Sequence, residues 1–417
     1  MIRFNLLLLT YLAIFLFRSL TQVGLNRLNI SHLRRHGQRV PEDFRDMIDR
    51  EKLKKISAYT IDSARFGIFS TLASQAFFLA LLLSGFFPWV LNRIPQQEWG
   101  SILSGLAFFA SLGILTHLFQ IPFELYDTFI IENRYGFNTK TLRVWVMDLL
   151  KSLALSALLG GFLLGLLLSL IKGGGRFWWV WAWMMVGVFE LLLLWLYPVI
   201  LAPLFNKFEP VADTELVRRI EQLMEKAGLK ARGIFQMDAS KRSRHTNAYF
   251  TGLGKSKRIV LFDTLLQSHA GDEIEAVLAH EIGHWKKRHV LKQLLIMELL
   301  SLMAFYVVAH LLNWLLLYRT FGFSEPVAYV GLLLIGALFS PLGYFVQPLA
   351  AAFSRKWERE ADDYALGLIP SGEALAQAFK RLASDNLANL LPHPFYAWFY
   401  YSHPPLAERI RRLKKEV

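Results

Sequence analysis

Seven apolar runs divide this sequence, near 4–25, 67–91, 101–123, 147–171, 177–201, 292–318 and 327–353. Each is long enough to cross the hydrocarbon core of a bilayer as a helix, which takes about 20 residues. The first, beginning FNLLLLTYLAIFLF, is long, contains Arg18 and has no clear small-residue cleavage site after it. It is therefore expected to be a retained span, not a signal peptide. The hydrophilic stretches 26–66, 124–146, 202–291 and 354–417 hold most of the remaining Lys and Arg, whereas NRIPQQEWG, KGGGR and YRTFGFSEP are short. Charge bias and span count agree, and they predict that the four basic stretches face the cytoplasm. No internal repeat is evident.

The longest hydrophilic stretch reads as a small α/β unit. Leu216, Ile220 and Leu223 share one side of a helix predicted over Thr214–Ala227, with Gly228 as its stop. Strand-like pieces follow at Gly233–Met237, Thr246–Thr251 and Arg258–Phe262, and they offer an edge on which an extended peptide can pair. Next comes VLAHEIGHW, Val277–Trp285, on a predicted helix whose apolar side is Ile274, Val277, Leu278 and Ile282. Four residues make roughly one turn, so His280 and His284 project from one face, where two imidazoles can grip a single metal ion. Glu281 is within reach of a water on that metal, and Gly283 removes bulk beside the ligands. This HExxH pattern also arises by chance on ordinary charged helices. A buried helix carrying two unpaired histidines and a glutamate would be costly without a metal.

Composition sharpens the picture. Hydrophobic residues make up 54% of the 417 residues and the chain has no cysteine; its mean hydropathy is +0.34. This is the profile of an integral membrane protein, and only His and carboxylates remain as zinc ligands. The formal charge of +13 lies in segments flanking apolar spans. Anionic headgroups and topology account for it better than nucleic acid, which is not expected as a partner. The bilayer is. The run FWWVWAW, Phe177–Trp183, reads as an interfacial aromatic belt, and the basic tail RIRRLKKEV as a helix at an anionic surface. Glu190, His117 and Gln75 lie inside apolar spans, where polar groups are tolerable if they face a watery interior or find a local partner.

A third ligand is still needed. FSRKWEREADDYAL, from Phe353, is a helix on which Glu358 and Asp362 share a face and Glu360 points away. Spacing alone leaves the choice of ligand open. Together, however, HEIGH (His280–His284) and EREAD (Glu358–Asp362) resemble the paired motifs of the type I CAAX prenyl proteases. So do PFELYDTFIIENRYGFN from Pro122, YPVILAPLFNKFEP from Tyr197, DASKRSRHTNAYFTGLGKSKRIVLFDTLL from Asp238 and SHPPLAERI from Ser402. These stretches follow the family's order and span most of the chain.

The resemblance implies a mainly α membrane protein, a seven-helix barrel around a chamber with a small HExxH, gluzincin-like α/β unit at its cytoplasmic end. It selects Glu358 as the ligand that joins His280 and His284 around one Zn²⁺, with Glu281 as general base. It places Asn247 and the Ala248 main chain against the peptide, and His403 beside the tetrahedral transition state. Arg355 and Asp362 would orient Glu358 and a zinc histidine. The expected substrate is a peptide or protein C-terminus of the prenylated CAAX type or similar. The expected division is 1–201 with five spans, 202–291 with the HExxH unit, 292–353 with two spans and 354–417 with the third ligand. Two rivals are a quality-control zinc protease, which usually has fewer spans, and a non-catalytic scaffold or transporter, which predicts degenerate ligands.

Overall fold

Seven helices of the computed structural model are long and apolar enough to cross a membrane: Leu6–His36, Arg50–Leu83, Gln96–Tyr135, Leu142–Gly173, Gly175–Phe205, His289–Leu311 and Ala328–Leu366. The structure describes residues 2–229, 233–252 and 258–415. Local signals start several of these helices. Asn5, Asp49 and Thr141 each accept a hydrogen bond from a backbone N–H in the first turn, satisfying a donor that has no partner within the helix. The second helix begins well before the apolar run at 67, because its first turns are polar. The sixth stops at Leu311, and a separate short helix, Leu315–Thr320, follows.

A helix inside a solid bundle buries a face against its neighbours. Here the fourth and fifth spans each bury 6% of their most apolar window, and the sixth buries none. Both sides of these spans therefore meet open space, lipid outside and a chamber within. The seventh span differs, with 44% of its window buried. It runs for 39 residues in spite of Pro341 and Pro348, a length of about 58 Å, roughly twice the hydrocarbon thickness. Its C-terminal turns thus stand clear of the bilayer and carry Glu358.

Two cores cap the ends of the barrel. One gathers Tyr11, Phe87, Phe108, Trp178, Tyr318 and Tyr329 beside the short connections. The other joins Phe44 and Ile56, Ile131 and Phe137, the helix of the HEIGH motif, and Phe379 and Ile410. All four basic stretches of the sequence thus contribute to a single core. Gly136, at φ 85°, makes the reversal that sends NRYGFN into it.

The sheet has four strands in the order β1-β2-β4-β3. β1 is Phe208–Pro210, β2 is Ile234–Met237, β3 is Ala248–Thr251 and β4 is Arg258–Phe262. β2 and β4 are parallel, while β1 and β3 join antiparallel at the two edges. β1 escaped the sequence reading because three residues ending in proline carry no alternation. β3 starts at Ala248 instead of Thr246, since Thr246 is held by Asn386.

The aromatic run is divided between surface and interior. Phe177 and Trp181 are exposed, Trp178 is buried, and Trp183 donates to the carbonyl of Glu298. Of the polar residues in spans, Gln75 bonds Ser19 and Gln22 and Glu190 meets Glu298. His117 Nε2 is buried with no partner among the described residues.

Candidate metal centre

The HEIGH helix, Gly271–Lys286, is anchored at its start by Glu273, which accepts from the Ala270 N–H and pairs with Arg381. It is anchored along its length by contact with the seventh span. A Cβ on Gly283 would stand 2.8 Å from the Cα and carbonyl oxygen of Ala361, so glycine is what lets the two backbones touch. That contact brings HEIGH and EREAD face to face.

The result is a cluster in which one ligand atom each from His280, His284 and Glu358 lie within 4.8 Å of one another. The two Nε2 atoms are 3.2 Å apart, and they stand 3.4 Å and 3.2 Å from the Glu358 oxygens. Glu358 Oε2 is buried without a hydrogen-bond partner among the described residues. On the far side of the first ring, Nδ1 of His280 lies 2.8 Å from Asp362. A proton held there leaves the Nε2 lone pair aimed into the cluster. Burial opposes charge on His280, yet Asp362 and Glu358 outweigh it and raise the imidazole to about 9. A field that favours positive charge so strongly suits a divalent cation, and the donor set of two imidazoles and a carboxylate suits zinc.

Asp362 is itself gripped by Arg409, through Nη2 at 2.6 Å and Nε at 2.9 Å. This guanidinium also lies 3.5 Å from Glu358 and 3.9 Å above the Phe379 ring. The basic tail is therefore not simply a surface helix: Leu406–Lys415 turns Arg409 inward, with 5% exposure, among three groups of the site. A run of five cations hides the buried one. His289 was equally silent in the sequence. Its Nδ1 lies 3.1 Å from Nδ1 of His284, its Nε2 lies 3.1 Å from Glu360, and its ring stacks on Trp357. The left-handed turn at Arg288, φ 55°, is what folds His289 back behind the helix.

A pocket of about 470 Å³ opens beside the cluster. Asn247, Ala248, His280, Glu281, His403 and Arg409 all line it. Burial raises the Glu281 carboxyl above its ordinary value, which favours a group that accepts and returns a proton. The exposed Asn247 accepts from the N–H of Ala248 through Oδ1, at 2.8 Å. His403 reaches in from the loop before the last helix, with Nε2 3.3 Å from Glu358 and Nδ1 2.9 Å from Ser402. Arg355 lies elsewhere than expected. Its guanidinium donates to the carbonyls of Trp398 and Tyr401, so it braces the segment leading to His403 instead of Glu358 or a histidine.

An integral-membrane metallopeptidase is the class that this fold and site define. Residues 29–207 match the family model for the CAAX prenyl protease N-terminal region with five membrane helices, and 210–417 match peptidase family M48. The chain is 34% identical to the CAAX prenyl protease 1 homolog of Arabidopsis thaliana, over 90% of this chain and 91% of that one. Against CAAX prenyl protease 1 of Saccharomyces cerevisiae it is 36% identical, over 90% and 88%. The crystal structure of S. mikatae Ste24p superposes with a TM-score of 0.93 at 32% identity, covering 99% of this chain and all of that one. The chain belongs to peptidase family M48, in its CAAX prenyl protease branch, and is a multi-pass membrane metalloendopeptidase.

Proposed function

We propose that this protein is a zinc endopeptidase cutting near the C-terminus of peptides of the prenylated CAAX type, with its site at the cytoplasmic face. The observation that carries the reading is the convergence of His280, His284 and Glu358 beside Glu281, in a pocket edged by a strand. The branch of the family and the names of its relatives favour the substrate. The basic stretches that build the site's core favour the orientation.

His280, His284 and Glu358 would hold a zinc ion, which would supply Lewis acidity to a water and to the scissile carbonyl. Glu281 takes the water's proton and delivers it to the leaving amine. β3, an edge strand, offers main-chain groups to an extended peptide, and Asn247 fixes the peptide backbone beside Ala248. His403 donates to the oxyanion of the tetrahedral state. Asp362 holds the proton of His280 on Nδ1 and thereby fixes the ring.

The test is cleavage of a farnesylated CAAX peptide and its unprenylated twin by the purified protein, with Glu281→Gln as the blank. Turnover of the prenylated peptide that is lost in Glu281→Gln and on chelation supports the reading. Equal turnover of both peptides keeps the protease and removes the prenyl requirement. Undiminished turnover by zinc-loaded Glu281→Gln overturns the role of Glu281.

A further inference from the structure

A groove of about 560 Å³ lies between the second and third spans, on the side turned away from the chamber. On the second span Ser63, Ser70 and Ser74 line interior cavities. Successive helical residues turn by about 100°, which sets Arg65 and Phe69, both in the groove, on the opposite side. The third span repeats the division. Gln120 lines an interior cavity, whereas Pro122 and Tyr126 turn away from it into the groove. By the same count the acids Glu124 and Asp127 fall on the Gln120 side.

The groove is graded from charged to apolar. At its outer end Asp62 accepts from Arg134 at 3.0 Å and from the Tyr135 hydroxyl at 2.7 Å, so one of the two arginines in the groove is compensated. Arg65, one turn further along, is exposed and has no hydrogen bond or ion pair among the described residues. That leaves the groove one positive charge in excess. Arg65 stands just ahead of the apolar run that begins near 67, at the level where headgroups meet hydrocarbon. Deeper in, Phe69 packs on Phe123 at 5.9 Å, and beside it Phe66 packs on Tyr126 at 4.8 Å. These aromatic pairs bridge the two spans and give the groove a fixed apolar floor. A cation at the mouth and an aromatic floor beyond it complement, in charge and in polarity, a lipid with its phosphate outside and its chain within.

We infer that this groove is a binding site for a bilayer phospholipid of net negative charge. Its phosphate takes paired hydrogen bonds from Arg65, with Arg134 as the second cation, and one acyl chain lies along Phe69 and Phe123. The planar guanidinium matches a phosphate in two parallel hydrogen bonds. A zwitterionic lipid brings a cation of its own against the two arginines and is the weaker ligand. Losing the charge-assisted pair costs about tenfold or more in affinity. The site joins the spans that carry Tyr59 and Glu132 toward the sheet unit, and it does not depend on which peptide is cut.

The experiment uses the full-length protein in phosphatidylcholine nanodiscs doped with a trace of phosphatidylglycerol that carries a photoactivatable group on its acyl chain, or with the same amount of phosphatidylcholine so labelled. Crosslinked peptides are mapped by mass spectrometry. The readout is the ratio of labelling by the two probes in the peptides holding Phe69 and Phe123. The expected ratio is about ten or more for the wild type and near one for Arg65→Gln. A wild-type ratio near one overturns the site, as does a high ratio that survives Arg65→Gln or labelling that falls mainly on other spans. Displacement of the phosphatidylglycerol probe by inorganic phosphate would make this a free-anion site and overturn the lipid. If Arg65→Gln misfolds, Arg134→Gln decides, because it leaves Asp62 to cancel Arg65: a lowered ratio supports the site and an unchanged one overturns it.

Discussion

His289 stands directly behind His284, Nδ1 to Nδ1 at 3.1 Å, and its other ring nitrogen lies 3.1 Å from Glu360. One imidazole between a donor of the metal site and a carboxylate is a means of fixing a ring's orientation from outside. Glu360, unsuited by direction to be a ligand, thereby acquires a place in the centre. Replacing His289 with alanine is expected to weaken zinc binding about 10- to 100-fold while leaving the fold in place. Competition with a chelator, with activity restored by added zinc, measures it. Unchanged affinity would show that Trp357 stacking alone is the purpose of His289.

Gly283 and Ala361 set how closely the two ligand-bearing helices approach. Gly283→Ala puts a carbon 2.8 Å from backbone atoms that cannot swing aside. We expect a loss of about 1–3 kcal/mol of stability, together with a lower metal content because Glu358 moves away from the histidines. Thermal melting and zinc analysis of one preparation check both. Full zinc occupancy in a destabilised variant would separate packing from ligand geometry.

Arg409 and Asp362 form a buried ion pair, at 5% and 3% side-chain exposure. Removing the arginine leaves the buried carboxylates of Asp362 and Glu358 without their compensating charge. Arg409→Met is expected to cost about 3–5 kcal/mol, read as a lowered denaturant midpoint. Arg409→Met paired with Asp362→Leu should recover part of that stability without recovering activity, since His280 then loses the partner that holds its proton on Nδ1.

The sequence carried the parts of this centre that have a period and hid those that do not. His280 and His284 are one helical turn apart, so their shared face follows from the backbone. Glu358 is 74 positions from His284 in the sequence and is brought to it by the meeting of two helices, and the family pattern, not spacing, selected it over Asp362 and Glu360. Arg409 and His289 could not be read in this way: one sits in a run of cations, the other follows a left-handed residue, and burial of either depends on which helix lies opposite. The spans were legible because the hydrocarbon core imposes length and apolarity on each. Their polar extensions, from Arg50 ahead of the second and to Leu366 beyond the seventh, were not, since helical hydrogen bonding continues where hydropathy fails.

His403 offers a distinction between two roles. Its Nε2 is close to Glu358, at 3.3 Å, and its ring lines the peptide pocket. As the donor to an oxyanion it would be worth about 10²–10³ in kcat, so His403→Ala should lower kcat by that factor at constant zinc content. A parallel fall in zinc would instead make it a positioning partner of Glu358.

The sheet unit is tied to the membrane helices by His245, and the tie depends on pH. His245 Nε2 is 3.2 Å from Glu132, its Nδ1 3.1 Å from Asn386, and its ring is stacked on Phe137 at 3.9 Å. Tyr59 donates to the other oxygen of Glu132. Burial works against the imidazolium, but the bonds to Glu132 and Asn386 prevail and raise its pKa above 6.5. A group whose pKa is higher in the folded state stabilises that state fully below its unfolded value, and the contribution disappears as pH rises through the folded value. The wild type should therefore lose thermal stability relative to His245→Gln as pH climbs from about 6.5 into the mildly alkaline range. The half-exposed ring keeps the effect small, of the size of a partly screened ion pair. Parallel melting-temperature curves for the two proteins across that window would show that His245 is neutral in the folded protein and that stacking on Phe137, not charge, holds the unit to the third span.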